Sequence, residues 1–172
     1  MNSSLGHILL IANPAAQSGA GAAAADKAAA NLRAALGEDA VTVARTAGPR
    51  HACAIAEGAQ GAQTVVALGG DGLIHEVVNG LMTRPVGDRP QLGIIPVGSG
   101  NDFARTLGVP AKVDRACDLL LSACSQPADV GRVNGSFFAE TLSFGLDAAI
   151  ALDTMERRKR TGRHGAALYM AS

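Results

Sequence analysis

Short apolar runs alternate with longer stretches of helical periodicity along most of this chain. Ile8-Leu9-Leu10-Ile11-Ala12, Val41-Thr42-Val43-Ala44, Thr64-Val65-Val66-Ala67-Leu68 and Leu92-Gly93-Ile94-Ile95-Pro96 have the length and the aliphatic or β-branched character of buried strands. Between them, Ala22 to Leu36 places Ala25, Ala28, Ala29, Leu32 and Leu36 on one helical stripe that Gly37 closes. A helix from about Arg50 to Gln60 carries His51, and a third from Leu73 to Met82 keeps Ile74, Val77, Val78 and Leu81 at helical spacing. A short helix follows from Phe103 to Leu107. The next, Asp114 to Ser122, turns Ala116, Leu119, Leu120 and Ala123 inward, with Asp114 as its cap. Strands alternating with helices predict a mainly parallel sheet covered on both faces, a three-layer α/β/α domain.

The pattern changes after residue 127. Asp129-Val130-Gly131-Arg132-Val133 and Ser136-Phe137-Phe138-Ala139-Glu140-Thr141-Leu142 flank Asn134-Gly135, a strong hairpin signal. The expected organisation is a nucleotide-binding domain over 1–127 and the start of an incomplete β-rich domain over 128–172. Asp147 lies just past the hairpin. Met155 to His164 is basic (Arg157, Arg158, Lys159, Arg160, Arg163), which reads as a solvated face or as a contact with phosphate or anionic lipid. Gly165 to Ser172 starts an apolar helix without a stop signal, so the chain is expected to end inside a domain.

Composition narrows the function classes only slightly. The 172 residues hold 15 Lys plus Arg and 15 Asp plus Glu, so bulk charge gives no reason to expect a nucleic-acid partner. No apolar run approaches the roughly 20 residues of a membrane span, and the N-terminus lacks the basic region of a signal peptide. Cys53, Cys117 and Cys124 are an odd number without metal-like spacing, and their apolar neighbours suggest buried thiols in a reducing cytoplasm.

The candidate chemistry sits in the loops after the strands. Gly69-Gly70-Asp71-Gly72 joins a strand to a helix, where glycines allow close backbone approach and the helix start suits a phosphate. A carboxylate there repels phosphate, so Asp71 makes sense beside a cation, a proton or an incoming hydroxyl. Asn13-Pro14 with the small, glycine-rich loop to Gly21 follows the first strand, Thr46 follows the second, and Val97-Gly98-Ser99-Gly100-Asn101-Asp102 follows the fourth. Asp102 repeats the pattern of an acid at a helix start, or serves as an N-cap. Each loop alone is explained as a connection. In a parallel sheet all four lie on the carboxyl edge, where ligands bind, and together they read as a nucleotide phosphate site. Neither P-loop spacing nor Gly-x-Gly-x-x-Gly after the first strand is present.

Asn13-Pro14 with its loop, Gly69-Gly70-Asp71-Gly72, Glu76-Val77-Val78-Asn79-Gly80-Leu81 and Pro96-Val97-Gly98-Ser99-Gly100-Asn101-Asp102-Phe103-Ala104 occur in an order that resembles the diacylglycerol kinase catalytic-domain family. That family includes bacterial lipid kinases, sphingosine kinases and ceramide kinases, and the resemblance covers about residues 7 to 150. It implies transfer of the ATP γ-phosphate to a lipid hydroxyl, with Mg²⁺. It also implies that Asn13, Pro14, Ser18, Gly19, Thr46, Gly69, Gly70, Gly72, Gly98, Ser99, Gly100 and Asn101 hold the nucleotide. Asp71 would stand by the transferred group, as a metal-linked acid or as a base toward the hydroxyl, with the metal ligands unassigned. A β-rich lobe would bind the lipid at a membrane surface, a peripheral contact made from the cytoplasm; a homodimer is left open.

Two departures qualify the resemblance. Leu73 stands where bacterial members have Thr, and with His75 it looks like the sphingosine kinase version. The segment Glu140 to Asp147 and the basic residues 157 to 163 match loosely. The competing readings are a soluble-substrate kinase such as an NAD kinase, which shares the glycine tetrad but not the Pro96 to Ala104 segment, and a non-catalytic nucleotide-binding fragment. The 172 residues alone are expected not to phosphorylate lipid.

Overall fold

The computed structural model describes residues 5–122, 124–143, 145, 148–150, 152, 153, 156 and 160. Four strands, β1 (Ile8–Ala12), β2 (Val41–Arg45), β3 (Thr64–Gly69) and β4 (Gln91–Pro96), form one parallel sheet in the order β2-β1-β3-β4. Ile8 lies opposite both Val41 and Thr64, and Thr64 opposite Gln91, so the four strands run in register. The helices are α1 (Ala20–Leu36), α2 (His51–Glu57), α3 (Asp71–Met82), α4 (Asp102–Thr106) and α5 (Val113–Ser122).

Strand alternation divides the core into two. Ile8, Leu10 and Ala12 of β1, with Val66, Leu68 and Ile95, pack under α1 and α5 through Ala25, Ala28, Ala29, Leu32, Ala116 and Cys117. Ile11, Val65, Ala67 and Ile94 face the other way, toward α2, α3 and α4. The three-layer α/β/α arrangement is as the periodicity predicts. Burying side chains of the size of Ile74, Val77 and Leu81 contributes about 1.5–3 kcal/mol each, which is why this short amphipathic helix is stable on the sheet.

Helix pairs on each face are tied by polar contacts that periodicity does not reveal. Asp114 sits in the first turn of α5, not at its cap. Its carboxylate accepts from Lys27 Nζ at 2.7 Å and Asn31 Nδ2 at 2.9 Å on α1, and the Lys27 bond holds its carboxyl below the usual carboxylate range. On the opposite face, Gly80 brings α3 against α2: a methyl at Gly80 would collide with the Cys53 carbonyl and approach the Ala56 methyl to 2.8 Å.

The hairpin forms as expected from Asn134-Gly135, both at positive φ, although its strands are shorter than predicted: β5 is Gly131–Val133 and β6 is Ser136–Phe138, antiparallel. Compactness divides the chain into Met1–Ala139 and Glu140–Ser172. The hairpin lies within the first of these units. The described part of the second unit includes helical residues 148–150, with Ala149 N–H donating to the Gly145 carbonyl at 3.1 Å. Ala123, Asp147, Arg157, Arg158, Lys159, Arg163 and the final apolar run lie outside the described residues. No helix among the described residues is long and apolar enough to cross a membrane.

The thiols are not uniformly buried. Cys117 is buried, Cys53 is half-buried and Cys124 is exposed, because Cys124 follows the end of α5, where the chain leaves the core. Burial pushes the Cys117 thiol up to about 11. The thiolate is the reactive form. At pH 8, alkylation followed by peptide mapping should therefore mark Cys124 first and leave Cys117 unmodified until denaturant is added. Equal rates at the two positions would contradict this packing of α5.

Candidate functional site

The chain steps from β1 outward to β2, then returns past β1 to β3 and on to β4. The direction of winding reverses between β1 and β3. In open α/β sheets, ligands bind at such a switch point, beyond the carboxyl ends of the strands. The loops after β1 and β3 meet there: Asn13 N–H donates to the Leu68 carbonyl at 3.2 Å. Asn13 Oδ1 accepts from Ala15 N–H at 3.0 Å, which turns the chain away from the strand through Pro14. Thr46 N–H donates to the Ala12 carbonyl at 2.9 Å, so the half-buried Thr46 lies beside the same strand end.

The loop after β1 then takes an unusual backbone path. Gln17, Ser18 and Gly19 all have positive φ before α1 starts at Ala20. This path carries Gln17 across the strand ends, where Nε2 donates to the Gly98 carbonyl at 2.6 Å. Ser18 and Gly19 are exposed beside this tether. The loops after β1 and β4, far apart in sequence, are thus joined.

The turns after β3 and β4 pack backbone against backbone. A methyl on Gly70 would lie 3.1 Å from Gly98 Cα, and one on Gly98 would overlap Gly70 Cα and lie 2.6 Å from Asn101 Oδ1. Gly69 is required for another internal reason: its missing side chain makes room for Leu73, whose Cδ2 would lie 2.6 Å from a methyl there. Gly72 differs, with nothing within 4 Å of a methyl at that position, and it is exposed in the first turn of α3. Of these four glycines, only Gly72 has its missing side chain facing open space.

Gly70 caps α3, and Asp71 is its first residue. The amides of a first helical turn lack intrahelical acceptors and carry partial positive charge, so they favour an anion. The Asp71 carboxylate also accepts from Phe103 N–H in the first turn of α4 at 3.3 Å. Asp102 is not the cap of α4. Asn101 takes that place at φ 56°, and Asp102 starts the helix, with Oδ1 accepting from Arg105 at 2.9 Å. Arg105 Nη2 also donates to the Gly100 carbonyl at 2.7 Å, which fixes the Ser99–Gly100 turn. A methyl at Gly100 would lie 3.0 Å from an Asp102 carboxylate oxygen and 3.1 Å from one of Asp71, so the two acids converge on this turn. Asn101 Nδ2 donates to the Gly98 carbonyl at 2.9 Å. Its buried Oδ1 has no hydrogen-bond partner, an acceptor held beside the glycine contact.

The thirteen residues singled out in the sequence thus fall on adjacent loops along one edge of the sheet. Gln17, Asp102 and Arg105, which hold those loops together, were not among them. Asp102 had a visible signal, an acid repeated at a helix start. Gln17 and Arg105 act across loops, and no local pattern marks them. Among the described residues no group of three His, Cys, Asp or Glu side chains forms a metal cage. Mg²⁺ bound with a nucleotide needs only one or two carboxylates in addition to phosphate oxygens, and the convergence of Asp71 and Asp102 meets that requirement.

Comparison with known proteins agrees with this architecture. The diacylglycerol kinase catalytic domain matches residues 7–133. The diacylglycerol kinase of Bacillus subtilis (strain 168) is 43% identical over 96 residues, 55% of this chain and 31% of that protein. The diacylglycerol kinase of Staphylococcus haemolyticus is 37% identical over 95 residues, 55% of this chain and 28% of that protein. A crystal structure of a diacylglycerol kinase from Bacillus anthracis str. Sterne superimposes with a TM-score of 0.68 at 35% identity, covering 77% of this chain and 45% of that one. The matched stretch is about a third of the length of these sequence relatives.

The glycine geometry generates a paired expectation. Gly98→Ala should destabilise the fold by about 1–3 kcal/mol, the usual cost of overpacking, because its methyl meets the Gly70 backbone. Gly72→Ala, in open space within a helix, should be neutral or stabilising by up to about 1 kcal/mol. Urea unfolding measures both, and a larger loss at Gly72 than at Gly98 would contradict the contact between the two turns.

Proposed function

Because the chain belongs to the diacylglycerol kinase catalytic-domain family, we propose that residues 1–127 form the nucleotide half of an ATP-dependent lipid kinase. The observation that carries this reading is the convergence of the Asn13, Gly70 and Gly98 turns at the switch point, with Asp71 at the start of α3 between them. The site offers an anion mainly backbone amides and helix starts, which is how a protein positions phosphates without covalent chemistry.

In the proposed reaction a lipid hydroxyl oxygen attacks the γ-phosphorus of ATP, a new P–O bond forms, the β–γ bridging P–O bond breaks, and ADP leaves. The hydroxyl proton passes during attack to the Asp71 carboxylate or, where Asp71 acts through the metal, to water. When bound, Mg²⁺ would neutralise phosphate charge, held by Asp71 and Asp102. Asn13, Pro14, Ser18, Gly19 and Thr46 would flank the nucleotide on one side, and Ser99, Gly100 and Asn101 on the other. Asp71 is the residue we assign to the transferred phosphoryl group, either through the metal or as the proton acceptor. The acceptor is a diacylglycerol-like lipid or a sphingoid base, met by peripheral contact with a membrane. The acceptor lobe is proposed to begin at residue 128, with the hairpin as its first element docked on α3. The Pro96 to Ala104 segment, which fixes the Asp102 turn, argues against an NAD kinase-like reading.

Asp71→Asn should cut phosphoryl transfer by about 10²-fold or more in an enzyme that carries these residues with an acceptor lobe, because transition-state charge dominates the effect. ATP affinity should change much less. Turnover near normal in this variant would remove Asp71 from the mechanism.

The reading itself is tested on the 172-residue chain with ATP, Mg²⁺ and mixed micelles of diacylglycerol or sphingosine. We expect calorimetric ATP binding without multiple-turnover phospholipid formation, because positioning of the hydroxyl supplies much of the rate. Multiple turnover would show that these residues include a working acceptor site. Absence of ATP binding would overturn the nucleotide assignment.

A further inference from the structure

Helix α3 begins at Asp71 and reaches the β5–β6 hairpin at Asn79. The Asn79 side-chain amide serves there as a neighbouring strand would. Oδ1 accepts from Phe137 N–H at 2.8 Å, and Nδ2 donates to the Phe137 carbonyl at 2.9 Å. Ser136 Oγ also donates to Oδ1 at 3.3 Å, and Nδ2 is shared with the His75 carbonyl one helical turn back, at 2.9 Å. One side chain therefore satisfies both main-chain groups of a β6 residue while anchored to its own helix.

Apolar packing also holds the hairpin: Val130, Phe137 and Ala139 lie against the core that α3 helps to form. Such packing is non-directional and tolerates sliding. The amide pair does not, since a one-residue slip of β6 would bring up a residue whose N–H and C=O point to the other edge of the strand, toward β5, and break both bonds. Apolar burial thus supplies adhesion, and Asn79 supplies register. A helix rises about 1.5 Å per residue, so Asn79 stands roughly 12 Å along a rigid axis from Asp71.

We propose that Asn79 is a positioning residue that sets the register of the β5–β6 hairpin, and of the phosphoryl-acceptor side that the hairpin opens, to Asp71. The proposal rests on the kinase reading above. Asn79 lies two turns from the nucleotide edge, so its removal should act on acceptor turnover and spare ATP binding. A residue that merely held the fold together would move both.

The test uses Asn79→Ala, which removes both bonds, and Asn79→Asp, which keeps an acceptor for Phe137 N–H but sets a carboxylate against the Phe137 carbonyl. Hydrogen exchange at the Phe137 amide should accelerate by about 10-fold or more in Asn79→Ala, with Asn79→Asp intermediate. ATP affinity by calorimetry should stay within about twofold, and in the lobe-bearing enzyme kcat/KM for the lipid should fall by about 10-fold or more with KM for ATP unchanged. Unchanged Phe137 exchange would overturn the anchor. A parallel loss of ATP affinity and lipid turnover would overturn the positioning role in favour of a structural one. A lobe-bearing wild-type enzyme that binds ATP but phosphorylates no lipid would overturn the kinase reading and the acceptor role with it, and the exchange result alone would then decide whether Asn79 sets the hairpin's register.

Discussion

The site depends on one contact, the close approach of the Gly70 and Gly98 backbones. Neighbouring strands in a sheet lie about 4.8 Å apart, and side chains normally hold the turns that follow them further from each other. Here the absence of side chains at both positions lets the turns after β3 and β4 touch. The starts of α3 and α4 are then close enough for the Asp71 carboxylate to accept from an α4 amide and to share the Gly100 turn with Asp102. Two helix starts with partial positive charge stabilise two acids that would otherwise repel. The glycines of these turns are a condition for bringing the two carboxylates onto one turn.

Helix α3 passes this arrangement to the rest of the domain. Asp71 stands at its start. Its next turn carries Glu76, whose two carboxylate oxygens accept from Arg50 N–H at 2.9 Å and Ala52 N–H at 3.1 Å and so cap α2. That cap stabilises the beginning of the helix that follows the Thr46 loop, where Ala47 N–H also donates to His51 Nδ1 at 2.9 Å. Gly80 then admits the α2 backbone, and Asn79 takes the hairpin. The run Glu76-Val77-Val78-Asn79-Gly80-Leu81 thereby acquires a physical reading. Its polar members, Glu76 and Asn79, fix α2 and the hairpin relative to Asp71, and its apolar members seal α3 to the sheet.

Much of this was legible in the chain because its signals are local. Strand and helix periods gave the layers, Asn134-Gly135 gave the hairpin, and the parallel sheet placed the Asn13, Thr46, Gly69 and Gly98 loops on one edge. Strand order was not legible, since a β–α alternation is compatible with several windings, and the switch point between β1 and β3 emerges only from the pairing. The role of Asp114, and the cap reading of Asp102, differ from the structure for a related reason. A position near a helix start suggests a cap for Asp114 and either a cap or an acid opening the helix for Asp102, of which the second holds; each carboxylate goes to a partner side chain, Lys27 and Asn31 on another helix for Asp114 and Arg105 one turn on for Asp102. The cysteines show the same limit. Apolar neighbours in sequence suggested burial for all three, but burial follows from packing, and Cys124 lies beyond the last turn of α5.

The Leu73 departure is also clearer in three dimensions. As a replacement for a hydroxyl residue beside the glycine tetrad, it would remove a ligand group if its side chain faced the nucleotide edge. Leu73 instead is 8% exposed and packs over Gly69, inside the core shared by α2, α3 and α4. Its side chain competes for space with the end of β3, so its size is matched to a glycine at 69 and would conflict with any larger residue there. His75, which belongs with Leu73 to the same resemblance, is exposed two residues further along α3, with Nε2 3.4 Å from Asn79 Nδ2. The two residues thus stand in different places. Leu73 is absorbed by the packing under the turn, whereas His75 stands on the outer face of α3 beside the residue that holds the hairpin. The turn after β3 therefore accommodates leucine within the core, without turning its side chain toward the carboxyl edge of the sheet.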